Sequence, residues 1–227
     1  MSFTLYYKVL FMNDKNQHLE TLKDIKMIME KSSRFISLSG LSGIAAGICA
    51  LVGVYLVTQK IQCWKIGECL FERLMKEGDD DLLNQLYLIA AGTFLAAFIS
   101  AFFFTWLRSR KNNIPIWGSA ARRLLWSVSM PLLVGAIFLF RMIQFQHYEL
   151  VAPGTLIFYG LALVNASRFT FKEIRYLGYA EILLGLVNCW MVGYGLHFWA
   201  AGFGVLHIVY GINMWYKYER INSTPQV

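Results

Sequence analysis

The chain has 227 residues, of which 57% are hydrophobic and only 15% are charged, and its formal net charge is +7. Soluble globular proteins average about 25% charged residues. The composition therefore argues against a soluble domain and favours a protein that lies in a membrane.

Six apolar segments recur along the chain, and about 20 apolar residues are enough for a helix to cross roughly 30 Å of hydrocarbon. They lie at about 35–58, 86–107, 124–145, 151–168, 176–195 and 198–216. We predict an all-α fold, a polytopic integral membrane bundle of six transmembrane helices. The transmembrane domain is expected at 35–218, after a cytoplasmic segment at 1–34 and before a cytoplasmic tail at 219–227.

Positive charge is concentrated in the segments that one face of such a bundle would carry. Lys and Arg recur at 15–34, 108–123, 168–175 and 217–220, whereas the loop at 60–84 mixes four basic residues with a run of acids. Cytoplasmic loops of membrane proteins carry the excess of Lys and Arg. We therefore predict that both termini are cytoplasmic and that the charge does not signify nucleic-acid binding.

The segment from Asp14 to Arg34 has the spacing of an amphipathic helix. Leu19, Leu22 and Met29 share one side, with charged residues elsewhere. Such a helix could lie in the headgroup region or bind a partner protein. The alternative is a solvated lead-in to the first span, and the spacing does not separate the two.

Small residues follow steps of three and four in several of the apolar segments. Helix association in lipid depends on close backbone approach, which small residues permit. We predict that these glycines pack helices together, within the chain or between two copies, and we expect a homodimer. The glycines are Gly40, Gly43, Gly47, Gly178, Gly185, Gly204 and Gly211.

Two loops carry further expectations. Cys63 and Cys69 share the loop predicted to lie outside, where they either remain thiols or form a local disulfide if that compartment is oxidising. Their spacing is not that of a zinc site, so we expect no metal. The basic loop at 108–123 is expected to bind anionic lipid headgroups.

The last two apolar segments contain polar residues at membrane depth. Glu181, Asn188, His207 and Asn213 lie on two helices that we expect to meet at a short turn near residues 196–198. Matching depths across that turn places Asn188, rather than Glu181, level with His207. We predict a polar seam of these four residues.

Ionisable groups in a membrane are costly and mark functional sites by default. The seam therefore suggests a small proton- or cation-linked transporter or channel-like protein, with Glu181 as the titratable acid. The alternative is a non-transporting sensor, scaffold or assembly factor that acts through its N-terminal helix, with the seam as a packing network.

Catalytic motifs are not evident. The four histidines do not cluster as a membrane metallo-oxygenase requires, and the chain lacks G-x-S-x-G, His-Glu-x-x-His and a phosphate-binding glycine loop. We expect no enzymatic activity and no cofactor.

The runs GFGVLHIVYGINMWYKYER and SSRFISLSGLSG resemble those of an uncharacterised family of small six-span bacterial inner-membrane proteins. The resemblance covers the chain from about Met12. It implies a bacterial inner-membrane setting, and it supplies no catalytic or binding residues.

Overall fold

The computed structural model describes residues 39–61, 80–111 and 117–220, and within these ranges the chain forms helices and no strands. The predicted all-α fold is confirmed. The first five helices are α1 (Gly40–Ile61), α2 (Asp80–Lys111), α3 (Ser119–Gln144), α4 (Val151–Ala166) and α5 (Glu173–Trp190), with a short 3-10 turn at Tyr148–Leu150 before α4.

The chain ends in one continuous helical rod, which we call the C-terminal helix. It consists of α6 (Gly195–Trp199), a π-helical segment (Ala200–Leu206), α7 (His207–Trp215) and a second π-helical segment (Tyr216–Arg220). A π-helix has a wider turn than an α-helix, and its occurrence inside an α-helix is frequently associated with functional sites.

Five of these elements are long and apolar enough to cross a membrane: α1, α2, α3, the segment of the 3-10 turn with α4, and the C-terminal helix. Many of their large apolar side chains are exposed, among them Leu88, Phe94 and Ile99 of α2. Exposed apolar surface on this scale is typical of helices that face lipid. The molecule is a multi-pass helical membrane protein.

Helix α5 corresponds to the predicted segment at 176–195 but is less apolar than the others. Its 18 residues include Glu173, Arg175 and Glu181, and a helix of this length spans about 27 Å. The residues that lower its hydropathy at membrane depth, Glu181 and Asn188, are both buried inside the protein.

The C-terminal helix occupies the centre of the bundle. Helix α1 packs along one side of it and carries α2 on its own outer side, whereas α4 and α5 pack together on the other side, with α3 against α4. The bundle therefore has two outer parts on either side of a central helix, α1 with α2 on one side and α3, α4 and α5 on the other.

The predicted packing glycines all lie where two helices approach closely. A side chain at Gly40 would meet the backbone of Gly211 and Trp215, and one at Gly178 would meet the carbonyl oxygen of Gly160 at 2.7 Å. The same holds for Gly43 and Gly47 on the α1 side, Gly185 against α4, and Gly204 and Gly211 against α1. These contacts lie within one chain, so the glycines account for the intramolecular packing.

The prediction of a turn near residues 196–198 is wrong. Helix α5 ends at Trp190, residues 191–194 make the turn, and the C-terminal helix begins at Gly195. Gly193 has a φ of 93°, a backbone conformation that glycine adopts without the steric cost paid by other residues. The turn therefore lies about four residues earlier than expected.

Three predictions fall outside the described residues. They are the amphipathic helix at 14–34, the pair Cys63 and Cys69, and the end of the tail after Arg220. Within the described part, Cys49 and Cys189 are free thiols.

Candidate functional site

Glu181 and His207 meet in the middle of the bundle. Glu181 lies in α5 with 0% of its surface exposed, and His207, at the first residue of α7, is 7% exposed. The distance from His207 Nδ1 to Glu181 Oε1 is 3.4 Å. The two ionisable side chains that the sequence placed deepest in the membrane therefore form a pair.

The imidazole of His207 is held at both ring nitrogens. Nδ1 lies 3.0 Å from the carbonyl oxygen of Gly202, and Nε2 lies 2.8 Å from the hydroxyl oxygen of Tyr159. A carbonyl oxygen only accepts, so Nδ1 carries a hydrogen. Nε2 is then the nitrogen that gains or loses a proton, and it faces Tyr159.

The hydroxyl of Tyr159 suits either protonation state of His207. When Nε2 is unprotonated, the Tyr159 O–H donates to it. When Nε2 carries a proton, it donates to the Tyr159 oxygen, and the hydroxyl hydrogen is free to point elsewhere. The Tyr159–His207 contact can therefore pass a proton along without a change in the position of either ring.

The carboxyl group of Glu181 is in an unusual state for a buried acid. Neither of its oxygens has a hydrogen-bond partner among the described residues, and the nearest group able to carry positive charge is the His207 imidazole. An isolated buried carboxylate is very costly. The site is therefore stable either with both groups neutral or with Glu181 ionised beside a doubly protonated His207.

Gly202 makes room for the carboxyl group. It lies on the C-terminal helix one turn before His207, and a side chain there would come closer than 3.0 Å to both Glu181 Oε2 and Leu156 Cδ2. The carbonyl oxygen of Gly202 thus accepts a hydrogen bond from His207, and the absence of a side chain at Gly202 leaves space for the Glu181 carboxyl group.

Asn188 does not contact His207 in the way the depth matching predicts. It is buried at 3% exposure, its side-chain nitrogen has no hydrogen-bond partner in the described part of the chain, and Gly195 lies beside it. Glu181 occupies the position beside His207 instead. Asn213 is exposed on α7 and lies outside the cluster.

The prediction that Asn188, rather than Glu181, lies level with His207 fails for a physical reason. The turn at 191–194 brings residue 204, rather than 211, level with Glu181 if both helices advance equally. The π-helical segment then advances less along its axis per residue than an α-helix does, which moves His207 back toward the level of Glu181. Neither the earlier turn nor the π segment was visible in the spacing of apolar residues.

A cavity of about 790 Å³ opens beside the pair. It lies between α1 and α2 on one side and α3 and α4 on the other, and the C-terminal helix forms its inner wall. His207 and Tyr159 line this cavity, whereas Glu181 does not. The imidazole therefore separates the cavity from the buried carboxyl group.

Aromatic rings lead along the cavity wall to His207. Trp199, Phe203 and His207 recur every four residues on one face of the C-terminal helix, with ring centroids 4.8 Å and 5.9 Å apart in succession. Tyr159 packs against both Phe203 and His207, at 4.9 Å and 5.4 Å. These four side chains form an aromatic row in which neighbouring rings contact one another along the inner wall of the cavity.

Tyr159, Gly202 and Phe203 were not identified as site residues from the sequence. Tyr159 is one of several aromatic residues in an apolar helix, and its partner lies 48 residues further along the chain. A four-residue spacing from Trp199 to His207 was readable in the sequence and is the signal that would have found Phe203.

The described residues contain no group of three or more His, Cys, Asp or Glu side chains arranged to hold a metal ion. The chemistry that the arrangement offers is the binding and release of a proton at His207 Nε2, next to a cavity, with Glu181 as the counter-charge.

No protein-family model matches the chain, and searches of curated proteins and of solved structures find no match either. The class of the molecule, a multi-pass helical membrane protein, therefore comes from its own composition and fold.

Proposed function

We propose that the protein is a small proton-linked membrane transporter in which the Glu181–His207 pair binds the proton and the adjacent cavity binds the solute. The observation that carries the proposal is the fully buried Glu181 carboxyl group, unbonded among the described residues, 3.4 Å from a histidine that lines the cavity. Titratable groups inside transmembrane bundles mark proton and ion pathways.

The same proposal includes six membrane crossings with both termini in the cytoplasm. Helix α5 would be the sixth crossing, shielded from lipid where α4 covers it. The excess of Lys and Arg at 108–123, 168–175 and 217–220 supports this orientation. A bacterial inner-membrane location, a homodimer and anionic lipids at the basic loop belong to the proposal as well.

A proton on His207 Nε2 changes the charge of the site without exposing Glu181. With the proton bound, an ionised Glu181 and a protonated His207 have no net charge. After the proton leaves through Tyr159, the pair has a charge of minus one, which is costly in a buried site unless positive charge in the adjacent cavity compensates it. A buried site that changes its charge by one unit beside a cavity couples proton binding to the binding of a charged solute in that cavity.

The proposal is tested in proteoliposomes that contain a trapped pH indicator and carry an imposed pH gradient. Three aromatic probes are added in turn: ethidium as a cation, coumarin as a neutral compound and anilinonaphthalene sulfonate as an anion. We expect at least one probe to drive a proton flux above that of empty liposomes, and we expect Glu181→Gln to abolish it.

Glu173→Gln is the matched control, because it removes an acid from the same helix at its end, away from the cavity. Proton flux in this variant should equal that of the wild type. Absence of flux with all three probes, or an undiminished flux in Glu181→Gln, would show that the pair is not a coupling site.

A further inference from the structure

We infer that the cavity binds a lipophilic monovalent cation, and that this cation and the proton of the Glu181–His207 pair exclude each other. The inference rests on the proposed function for its link to transport. The binding site itself stands on the shape and chemistry of the cavity, which are independent of any flux.

The size and lining of the cavity select an amphipathic molecule. Ligand sites usually have volumes of about 300–1,000 Å³ and mostly apolar walls with a few polar groups. The volume of about 790 Å³ falls in this range, and aliphatic and aromatic side chains form most of the wall. A strongly hydrated solute would lose its water shell here without replacement.

Charge favours a cation over an anion. Among the described residues that line the cavity, Glu149 is the acid, and no Lys or Arg is present. Glu149 accepts a hydrogen bond from His147 at 3.1 Å when that imidazole nitrogen carries a hydrogen, near the start of α4. An anion would find no Lys or Arg on the described part of this wall, and the charge of a protonated His207 is balanced by Glu181.

The aromatic row adds attraction that a neutral ligand would not receive. A cation that rests against an indole or phenyl face is stabilised by the negative ring surface, and the effect grows when water is excluded. Trp199 and Phe203 line the cavity and follow one another along the helix toward His207. A cation could therefore keep contact with π surface along the inner wall of the cavity.

The Glu181–His207 pair makes the binding depend on pH. When the pair has released its proton, its single negative charge lies just behind His207 and attracts a cation in the cavity. When the proton returns, the pair is neutral and this attraction disappears. By linkage, the bound cation must lower the proton affinity of the pair to the same extent.

Other titratable groups lie next to the pair, in the cavity wall or on the helices packed around it. Tyr159 on α4 bonds directly to His207, and the Tyr210 hydroxyl, one turn further along the C-terminal helix, is buried without a partner among the described residues. Helix α1 contributes Cys49, whose thiol contacts Ser100 of α2. Glu149, with its partner His147, lies near the start of α4.

Protons balance in a single exchange step. His207 Nε2 gives its proton to the Tyr159 oxygen while the Tyr159 hydroxyl hydrogen passes to water in the cavity, so one proton leaves the pair. The new O–H bond of Tyr159 already points at Nε2, so the hydroxyl donates to it without rotating. The outgoing proton is replaced by one cation, and no bond to carbon and no oxidation state changes.

The test uses two ions of nearly equal size and opposite charge, tetraphenylphosphonium and tetraphenylborate. Their binding to the purified full-length protein in detergent is measured by equilibrium dialysis at several pH values. We expect tetraphenylphosphonium to bind more tightly, with an affinity that rises by up to about tenfold per pH unit while one proton is displaced. In lightly buffered solution, binding should release up to about one proton per cation.

Variants separate the contributions of Glu181 and Glu149 to cation binding. Glu181→Gln should bind tetraphenylphosphonium with a much weaker dependence on pH than the wild type, because His207 and Glu149 remain but the buried negative charge is gone, and Glu149→Gln should bind it about fivefold more weakly. Glu173→Gln, outside the cavity, should match the wild type. If a variant at a buried position fails to fold, the pH dependence of cation binding to the wild type still tests whether cation and proton exclude each other.

Equal affinity for the two ions would overturn the assignment to cations, and a pH-independent affinity in the wild type would overturn the exclusion of the proton. If tetraphenylphosphonium does not bind although a neutral or anionic probe drives proton flux in liposomes, this inference fails and the transport function stands. If the cation binds and releases a proton without any flux, the site stands and the transport function fails.

Discussion

Replacing Gly202 with alanine tests the geometry of the site most directly. The new Cβ would come closer than 3.0 Å to Glu181 Oε2 and to Leu156 Cδ2, distances that real Cβ atoms essentially never show. Glu181 and Leu156 are both completely buried, each with 0% exposure. The ends of these two buried side chains must move to accommodate the new Cβ.

The magnitude follows from the cost of adding a methyl group to a filled interior, which is about 1–3 kcal/mol. Gly92→Ala in α2 is the control, because a Cβ there meets nothing within 4 Å. Both variants gain helix propensity of up to about 1 kcal/mol, so the difference between them isolates the steric cost. For a chain of this length that difference corresponds to roughly 2–12 °C in melting temperature.

The assay is thermal unfolding in detergent followed by tryptophan fluorescence, combined with the dialysis measurement of tetraphenylphosphonium. Gly202→Ala should melt below Gly92→Ala, and the displaced carboxyl group should weaken the pH dependence of cation binding. Equal melting temperatures together with unchanged pH dependence would refute the packing of Glu181 against Gly202, and with it the buried position of the acid.

Three further changes test separate contacts. Tyr159→Phe removes the hydroxyl bonded to His207 and should cost about 1–3 kcal/mol in the free energy of unfolding, whereas Tyr176→Phe at an exposed position should be neutral; equal denaturation midpoints would contradict the bond. Gly160→Ala directs a Cβ at the backbone of α5, whereas Gly202→Ala directs one only at side chains. The melting temperature of Gly160→Ala should therefore fall at least as far as that of Gly202→Ala, and an unchanged value would contradict the close helix contact. Glu173→Gln should destabilise the protein at neutral pH and have no effect once the pH falls below the lowered folded-state pKa of Glu173. A destabilisation that persists below this pKa would exclude an ionic cause.

The sign of the last effect follows from the surroundings of Glu173. Partial burial alone would raise the pKa of its carboxyl group, but hydrogen bonds from the Lys217 ammonium, from backbone N–H and from the Tyr218 hydroxyl lower it below the usual range. A lowered pKa in the folded state means that the contact stabilises the protein above the pKa of the unfolded chain. This stabilisation is lost as the pH falls through the folded-state value.

The helical architecture was predictable because it depends on long apolar runs. The segments at 35–58 and 124–145 correspond to α1 and α3 within a few residues, since a membrane requires a minimum apolar length. Helix ends were less predictable. The segment at 86–107 lies inside α2, which extends from Asp80 to Lys111 because its polar ends continue beyond any hydrocarbon layer.

The site was predictable only in part. Glu181 and His207 attract attention because ionisable residues are rare in apolar helices, and their small neighbours indicate close packing. Their distance could not be derived, because it depends on the turn at 191–194 and on the π-helical segment, neither of which has a signature in hydrophobic spacing. Tyr159 could not be found either, since its contact with His207 joins helices that are not consecutive.

The cost of the arrangement supports a role for the proton beyond packing. A glutamine or leucine at position 181 would avoid burying an acid whose oxygens lack hydrogen bonds in the described structure. Glycine at position 202, needed to accommodate that acid, gives up about 1 kcal/mol of helix propensity relative to alanine. A packing network would be more stable without either residue. A proton site requires both the acid and its contact with His207. Because the Glu181 carboxyl group has no other hydrogen-bond partner in the described structure, its ionisation depends strongly on the charge of the imidazole that faces the cavity.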